Sequence, residues 1–543
     1  MRTFTTAKSS SNTAVFQWWD YPLFICLTCL KLVLMFSFVW SWFSLQDWLH
    51  YSLSFLVMTG MLFFVLLNNQ TRWLTLPYMQ CPSPTMARPG WKVAVVTTFV
   101  PGAEPFEMLE ETVRALVALD YPHDTWILDE GDTDQVKALC HTLGVHHFSR
   151  KTLSHLQTAQ GTFQAHSKHG NYNAWLYEIG FNQYEIMTAF DPDHVPEPRF
   201  LTQVLGYFDD PHVGYVQTAQ AYYNQQASFI ARGAAEETYA YYSSMQMASY
   251  GMGVLRGGGQ LEPYQMPQLI GSHNTHRVAA LKQIGGLAPH DADDLLATLL
   301  YWVYGWQGIY VPRILARGLA PVDWHGYLTQ QRRWARAILD LKFHLHTILR
   351  HEISVQTRLI SVLHGLSYVH KSLLIPTWII LTACMLVTGH VPAVFSYPAV
   401  LKFAVLGAIL ACCELYRQRF YLDWRNECGL HWRAWLLQFA KWPYVILALY
   451  DAISQHKFSY VLTKKVKTDA HHSLVILPNA CIFFFVCAFF LIGIMLGHTK
   501  NTVPYVFASI IAAISLALIL LGYRHFPDPY DKKLRHNSHK LQA

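Results

Sequence analysis

Charge is scarce in this chain. Only 14% of its 543 residues are Asp, Glu, Lys or Arg, against roughly 25% in ordinary soluble domains, and the deficit is uneven. Residues 21 to 68 and 368 to 522 hold long apolar runs, whereas 91 to 345 carry ordinary amounts of Asp, Glu, Lys, Arg, Gly and Pro. This excludes a uniformly soluble protein and implies a soluble-type domain set between two membrane blocks. Patterned cysteines are missing too. The ten are scattered, and the two close pairs, Cys26 with Cys29 and Cys412 with Cys413, sit inside apolar runs with no histidine at ligand spacing. Lipid or helix packing accounts for them better than a metal or redox centre. No basic stripe with interleaved aromatics occurs in the soluble part, and a net charge of +6 is small for this length, so nucleic acid is not an expected partner. Nor does a small-residue cleavage pattern separate the first two apolar stretches, which argues for retained anchors.

What is there is a set of runs near the length that crosses about 30 Å of hydrocarbon: Pro22 to Phe43, Ser52 to Leu67, Leu373 to Val394, Ala399 to Leu415, Leu474 to Leu496 and Val506 to Gly522. Lys31 is out of place in the first. The stretch 431 to 453 is interrupted by Arg433, Gln438, Lys441 and Pro443, leaving roughly twelve clean residues, too few to span. Lys and Arg collect on the cytoplasmic side. Two spans before the domain and four after it leave "YRQRFYLDWR", "KFSYVLTKKVK" and the tail "DKKLRHNSHK" on the same side as the domain. The expected organisation is therefore a cytoplasmic N-terminus (1–21), two transmembrane helices (22–68), a cytoplasmic domain (91–325), an amphipathic interface helix (326–350), four transmembrane helices (368–522) with a cytoplasmic interface helix (431–453), and a basic cytoplasmic tail (523–543).

Within the domain, "WKVAVVTTFV" (91–100) and "YPHDTWILDEGDT" (121–133) read as strands flanking a helical stretch from Pro105 to Leu119, the pattern of a parallel α/β sheet. Ligands of such sheets bind beyond the carboxyl ends of the strands, where Asp129 and Glu130 fall. "YEIMTAFDPDHVPEP" (184–198) is a further strand ending in Asp191, Pro192 and Asp193; two carboxylates one residue apart can share Mg²⁺ or Mn²⁺, which can hold a diphosphate, although such triplets are more often turns. "APHDADDLLATLLYWVYGW" (288–306) sets Asp291, Asp293 and Asp294 before a helix, either as caps or with one carboxylate as a general base. "AHSKHGNYNAW" (165–175) offers Lys168 and two asparagines, Asn171 and Asn173, on a Gly-containing loop able to meet phosphate or ribose oxygens, though by itself it is only a turn, and "GSHNTHRVAAL" (271–281) reads as a Gly-Ser turn into a helix.

"TQQRRWARA" (329–337) concentrates three arginines at the start of an element whose Trp334, Ile338, Leu341, Leu345 and Ile348 recur at spacings of four and three. That spacing describes one apolar stripe on a helix lying along a membrane face. Its arginines suit both a topogenic flank and phosphate oxygens.

Taken in order, "ILDEGD", "FDPDH", "DADD" and "QQRRW" resemble the four signatures of the membrane-integrated family-2 glycosyltransferases, the group of cellulose, chitin and hyaluronan synthases, over residues 91 to 336. The resemblance implies a GT-A-type, Rossmann-like α/β domain between transmembrane blocks and a processive, inverting transferase. The donor would be a UDP-sugar, with UDP-glucose suggested by the cellulose-synthase-like layout, and the product a β-linked polysaccharide extruded through the enzyme's own spans. A single transfer to a lipid or cell-envelope acceptor is the alternative. Carried over position by position, Asp129 would hold the nucleoside beside Thr97, Thr98 and Glu104. Lys168 would meet ribose or diphosphate, and Asp191 and Asp193 would place the diphosphate, Asp193 through the metal. Asp294 would be the base, Gln330 and Arg333 would hold pyrophosphate, and Trp334 would stack beneath the acceptor sugar. "YVLTKK" resembles a gating loop, with Tyr460, Thr463 and Lys465 in matching places within 457–467. The family's Thr-Glu-Asp reads Ala292, Asp293, Asp294 here, which leaves the acceptor contact open. The resemblance also implies residence in the plasma (inner) membrane, with the lipid bilayer and accessory envelope subunits as further partners.

Overall fold

The structure is a computed structural model whose described residues are 12–43, 52–250, 253–255, 261–263, 267–348, 355–454 and 473–522. Tyr460, Thr463, Lys465 and the basic tail lie outside the described residues.

Seven strands make the central sheet: β1 Val93–Phe99, β2 Asp124–Asp129, β3 His146–Phe148, β4 Ile186–Phe190, β5 Val213–Thr218, β6 Asn274–Arg277 and β7 Gln307–Val311, in the order β7-β5-β6-β4-β1-β2-β3. Every residue of β1 is buried, because its alternate side chains enter cores on opposite faces of the sheet. Ala94 and Val96 go to one, Val93 and Val95 to the other. The strands read as a parallel unit, β1 and β2, do pair in parallel, and the sheet as a whole is mixed, since β6 runs antiparallel to both β4 and β5. Its reversal has a local consequence. A reversed strand starts at the carboxyl edge of its neighbours, so the segment read as a Gly-Ser turn delivers Gly271 and Ser272 to the end of β4, where the Asp191 N–H donates to Ser272 Oγ (2.9 Å).

The domain's helices are α3 Phe106–Val117, α4 Asp134–Leu143, α5 Lys168–Trp175, α6 Phe229–Tyr250, α7 Asp293–Val303 and α8 Trp324–Ile348; they follow α1 Tyr21–Phe43 and α2 Ser52–Leu74 and precede α9 Val355–Thr388, α10 Tyr397–Gln418, α11 Trp432–Ile453, α12 Ser473–Met495 and α13 Val503–Gly522. Among the described residues five helices are long and apolar enough to cross a membrane: Trp18–Phe43, Tyr368–Thr388, Tyr397–Gln418, Leu474–Met495 and Val503–Gly522. Six spans were expected. The second, Ser52 to Leu67, lies in the 23-residue helix α2, which is outside this set of five drawn from the described residues. Lys31 is fully buried with its Nζ 5.4 Å from the ring of Trp73 on α2, so this cation faces a neighbouring helix and an aromatic face instead of lipid.

Helix α11 is not among the five spans, and charged contacts tie it to the domain. Glu236 of α6 accepts from the backbone N–H groups of Arg433 and Ala434 (3.1 Å each) and from Arg433 Nη1 (3.0 Å), placing a carboxylate at the amide-rich end of α11. Glu237 accepts from Tyr327 Oη (2.9 Å), Gln438 Nε2 (2.9 Å) and Lys441 Nζ (2.6 Å). Asp451 accepts from Arg332 Nη2 (2.7 Å). Arg332 therefore holds α8 to α11, a more specific task than a positive flank.

Helix α8 departs from the single-stripe expectation. Ile338, Leu341 and Leu345 are buried in the core that also holds Ala94, Val96 and Leu295. Ala335 packs with Val445 and Ala448 of α11, and Leu339 with Val369 of α9 and Ala452 of α11. Trp334, read as part of the stripe, is 38% exposed. The helix is wedged between domain and membrane helices, because small residues on its second face let α11 approach.

The "AHSKHGNYNAW" segment is likewise a helix and not a loop. Ser167 caps α5 by accepting from the Gly170 N–H (3.1 Å), and the two asparagines are buried pins. Asn171 Nδ2 donates to the Leu128 carbonyl (3.2 Å), while Asn173 Nδ2 donates to the Thr162 and Leu287 carbonyls (3.0 and 2.9 Å) and its Oδ1 accepts from the Leu287 N–H (2.8 Å). Gly286 sits over Asn173 at φ +92°, where a Cβ would meet Asn173 Oδ1 at 2.3 Å. Gly286→Ala is expected to destabilise the protein by roughly 2–3 kcal/mol through strain and loss of this amide pair, measured as a lowered denaturation midpoint in detergent. An unchanged midpoint would refute the constraint.

Candidate active site

Three acidic segments and one lysine meet at the carboxyl edge of the sheet. Strand β4 is wholly buried and releases the chain at Asp191 as it reaches the surface. Lys168, the first residue of α5, points its Nζ at Asp191 Oδ1 (2.5 Å) and at the Gly271 carbonyl. Burial alone would lower the Lys168 ammonium, but the Asp191 carboxylate beside it, with Tyr172 and Asp293, holds it above the usual lysine range. It is a fixed positive charge.

Asp193 is almost wholly buried and accepts from the Leu319 N–H through Oδ2 (3.1 Å). Asp191, Asp193 and His194 bring their donor atoms within 4.8 Å of one another. The imidazole of His194 is already engaged on both sides, by Asp193 Oδ1 at Nδ1 (3.3 Å) and by Gln220 Nε2 at Nε2 (3.1 Å). With the Gln220 amide donating to Nε2, Nδ1 carries the proton and donates to Asp193. Behind it, His273 Nε2 donates to Gln220 Oε1 (2.5 Å) and His273 Nδ1 faces Thr218 Oγ1 (2.9 Å) and Gln217 Nε2 (3.0 Å). Burial first, and then neighbouring His194, keeps His273 neutral, well below its ordinary range. This relay orients Asp193, as outer groups orient carboxylate ligands of a metal. The donor set fits a hard divalent cation, with Asp191 and Asp193 as the oxygen ligands and His194 holding the second of them.

Asp293 and Asp294 fall inside the first turn of α7, behind an Ala292 that cannot cap it. They line one cavity with Lys168, Tyr172, Gly271 and Asn274. Burial, and then the adjacent Asp293 carboxylate, push Asp294 up to about 7; burial raises Asp293 too, against the pull of Lys168 and His169. A carboxyl with such a pKa can accept a proton near neutral pH. Capping is thus the lesser role. Asp291, the third acid of the segment, is exposed and 3.9 Å from Arg336 on α8.

Asp129 lies at the end of β2, two strands away, which sets the two strand ends roughly 10 Å apart. It is fully buried and turned onto its own loop. Oδ1 accepts from the Gly131 N–H (2.9 Å), and Oδ2 from the Thr133 N–H (2.6 Å) and Thr133 Oγ1 (3.0 Å), with His147 Nε2 at 3.5 Å. Burial pushes this carboxyl upward, yet the His147, Thr133 and Gly131 hydrogen bonds outweigh it and hold it below the usual range. Phe99 ends β1 opposite Asp129, with Thr98 one residue before it opposite Leu128, and Glu104 Oε2 accepts from the Val100 N–H (2.8 Å), shaping the loop after β1.

Gln330, Arg333 and Trp334 follow on α8, Gln330 buried, Arg333 half-buried and Trp334 exposed. Helix α8 is joined to the acidic segment by Arg336 with Asp291 and by Asp340 Oδ2 with His290 Nε2 (3.2 Å). Sequence reasoning missed His194, although it directly follows Asp193. It also missed His290, Asp293 as a partner charge, and Arg150, which no motif marks.

Residues 92–337 match a family model described as glycosyltransferase like family 2. The β-monoglucosyldiacylglycerol synthase of Synechocystis sp. is 29% identical over 237 residues, 42% of this chain and 44% of that protein. Cellulose synthase 1 of Komagataeibacter xylinus is 26% identical over 306 residues, 55% of this chain and 18% of that protein. The chain spans less than half the length of either relative. Among solved structures, the mannosyltransferase of Pyrobaculum calidifontis in complex with GDP-Man and Mn²⁺ aligns with 75% of this chain and 99% of its own at 16% identity and a TM-score of 0.48.

Proposed function

Starting from a chain whose residues 92–337 form a family-2 glycosyltransferase domain, we propose an inverting transferase that moves a sugar from a UDP-sugar to an acceptor hydroxyl at a membrane surface. One observation carries the reading: Lys168, Asp293 and Asp294 line the same cavity while Lys168 is ion-paired to Asp191. A proton acceptor and a diphosphate site thereby share one opening. Asp294 takes the acceptor proton, with Asp293 raising its affinity for it. Lys168, Gln330 and Arg333 receive the negative charge of the departing UDP, a task suited to ammonium and guanidinium groups in a partly buried site. Mg²⁺ or Mn²⁺ held by Asp191 and Asp193 would supply further charge neutralisation at the diphosphate. Asp129, with its loop, Thr98 and Glu104 shape the nucleoside end, and Trp334 offers a ring face to the acceptor sugar.

The acceptor divides into two readings. The motif order and the likeness to cellulose synthases support a growing β-linked polysaccharide, with UDP-glucose as donor, leaving through the spans. Transfer of one sugar to a lipid or envelope acceptor is favoured by the packing of the bundle. There, Ile375, Ile379 and Leu386 of α9, Val475 and Val486 of α12, and Ala508, Ile511 and Leu518 of α13 are all buried in one apolar cluster. The basic loops support a plasma-membrane protein with its catalytic domain on the cytoplasmic side; a tag at residue 543 reachable only from outside would overturn that topology.

The test is to incubate the purified protein with radiolabelled UDP-sugars and Mg²⁺ or Mn²⁺ and to size the product. No UDP release with any donor refutes the transferase, and a single-sugar product replaces the polymer. The pH profile gives a separate check. Because the base works deprotonated, kcat/KM for the active donor should fall about tenfold per unit as pH drops below about 7. In Asp293→Asn, which removes the adjacent charge, that limb should move to lower pH. A limb that stays in place rules out Asp293 as the cause.

A further inference from the structure

Arg150 follows β3, carries no motif, and is 1% exposed. An arginine buried so completely must have its charge matched and its five donors used. The match is Glu130, the residue after Asp129: Arg150 Nε and Nη2 donate to Glu130 Oε2 and Oε1 (3.1 and 2.8 Å), a two-pronged fork. The remaining face turns the other way. Nη1 donates to the carbonyls of Leu156, Phe163 and Gln164 (3.3, 3.4 and 3.0 Å), and Nη2 also reaches the Ser167 carbonyl (3.4 Å). Ser167 is the cap of α5, whose first residue is Lys168. Gly170 fits against this knot, since a Cβ there would meet the Gln164 carbonyl at 2.1 Å and Arg150 Nη1 at 2.8 Å.

The two halves of the donor site, the end of β2 and the start of α5, are far apart in sequence; the Asn171 amide joins their backbones through the Leu128 carbonyl, and this guanidinium joins Glu130 to the cap before Lys168. We infer that Arg150 is the positioning residue of donor binding, fixing Glu130 and the loop into Lys168 as one piece so that nucleoside and diphosphate are met in register. This rests on the proposed UDP-sugar reading. A lysine could keep the charge but not the planar fork that serves carboxylate and carbonyls together.

The test measures the affinity of the full chain in detergent for UDP with MnCl₂, alongside its melting transition. Arg150→Ala should weaken UDP binding by roughly tenfold to a hundredfold, the scale of an ångström-level misplacement, with the melting transition retained. Millimolar guanidinium should restore part of the affinity, and Arg150→Lys should not. Should Arg150→Ala not fold, Glu130→Gln keeps the carbonyl contacts of Arg150 and removes the charge match, and it should weaken UDP binding in the same direction. Unchanged UDP affinity in the folded variant, or no guanidinium rescue, overturns the inference while wild type still binds UDP. Wild type that binds no UDP refutes the donor reading itself.

Discussion

Asp294→Asn is expected to lower the rate of sugar transfer by about 10² to 10⁴, the usual contribution of a positioned base, while leaving the affinity for UDP intact. The asparagine keeps the size of the side chain and its place in the first turn of α7, so the Leu295 N–H that donates to Asp294 Oδ1 (2.7 Å) keeps an acceptor. Only the capacity to take a proton is lost. Initial rates of UDP release and a UDP titration on the same preparation separate the two quantities. Activity near that of wild type would move the base assignment away from Asp294, with Asp293, on the same cavity wall, next to be substituted.

Asp193→Asn is expected to cost about 10² to 10³ in transfer rate, the scale of losing one preorganised charge-stabilising contact, and to uncouple UDP binding from divalent cations. Wild type should bind UDP more weakly after EDTA and recover with MnCl₂, whereas the variant should bind weakly in both conditions. The reasoning is electrostatic. Asp193 is nearly inaccessible, and the Leu319 N–H and His194 hold both of its oxygens in place; such an arrangement aims a negative charge at one point. UDP binding by wild type that is indifferent to EDTA would refute a metal at this site.

Much of this site was legible because its chemistry is local in sequence. Asp191 and Asp193 announce themselves by spacing and by the apolar strand before them, and the order of the four acidic and basic segments led to the family that residues 92–337 match. What failed was tertiary. Asn171 and Asn173 look like ligand donors in a loop, yet their amides are spent on backbone carbonyls inside the fold. Asp129 reads as a contact for a nucleoside, and what its spacing did not show is that its oxygens also accept from Gly131 and Thr133, two and four residues on, and so shape its own loop. The reversal of β6 was invisible because a four-residue strand of Asn, Thr, His and Arg has no apolar alternation to read. Arg150 was invisible for a similar reason: its partners lie 6 to 20 residues away and most are backbone carbonyls, which leave no trace in residue type.

The wedge position of α8 sets a limit on how this protein can be divided. Ile338, Leu341 and Leu345 complete the core of the domain, each worth about 1.5–3 kcal/mol of burial, while Ala335 and Leu339 on the same helix close against α9 and α11. Domain and membrane block therefore share one keystone. A fragment ending at residue 325 would open its own core to water, and membrane helices without the domain would lose the surface that seats α11. Domain and helices are thus one unit, to be purified and assayed together.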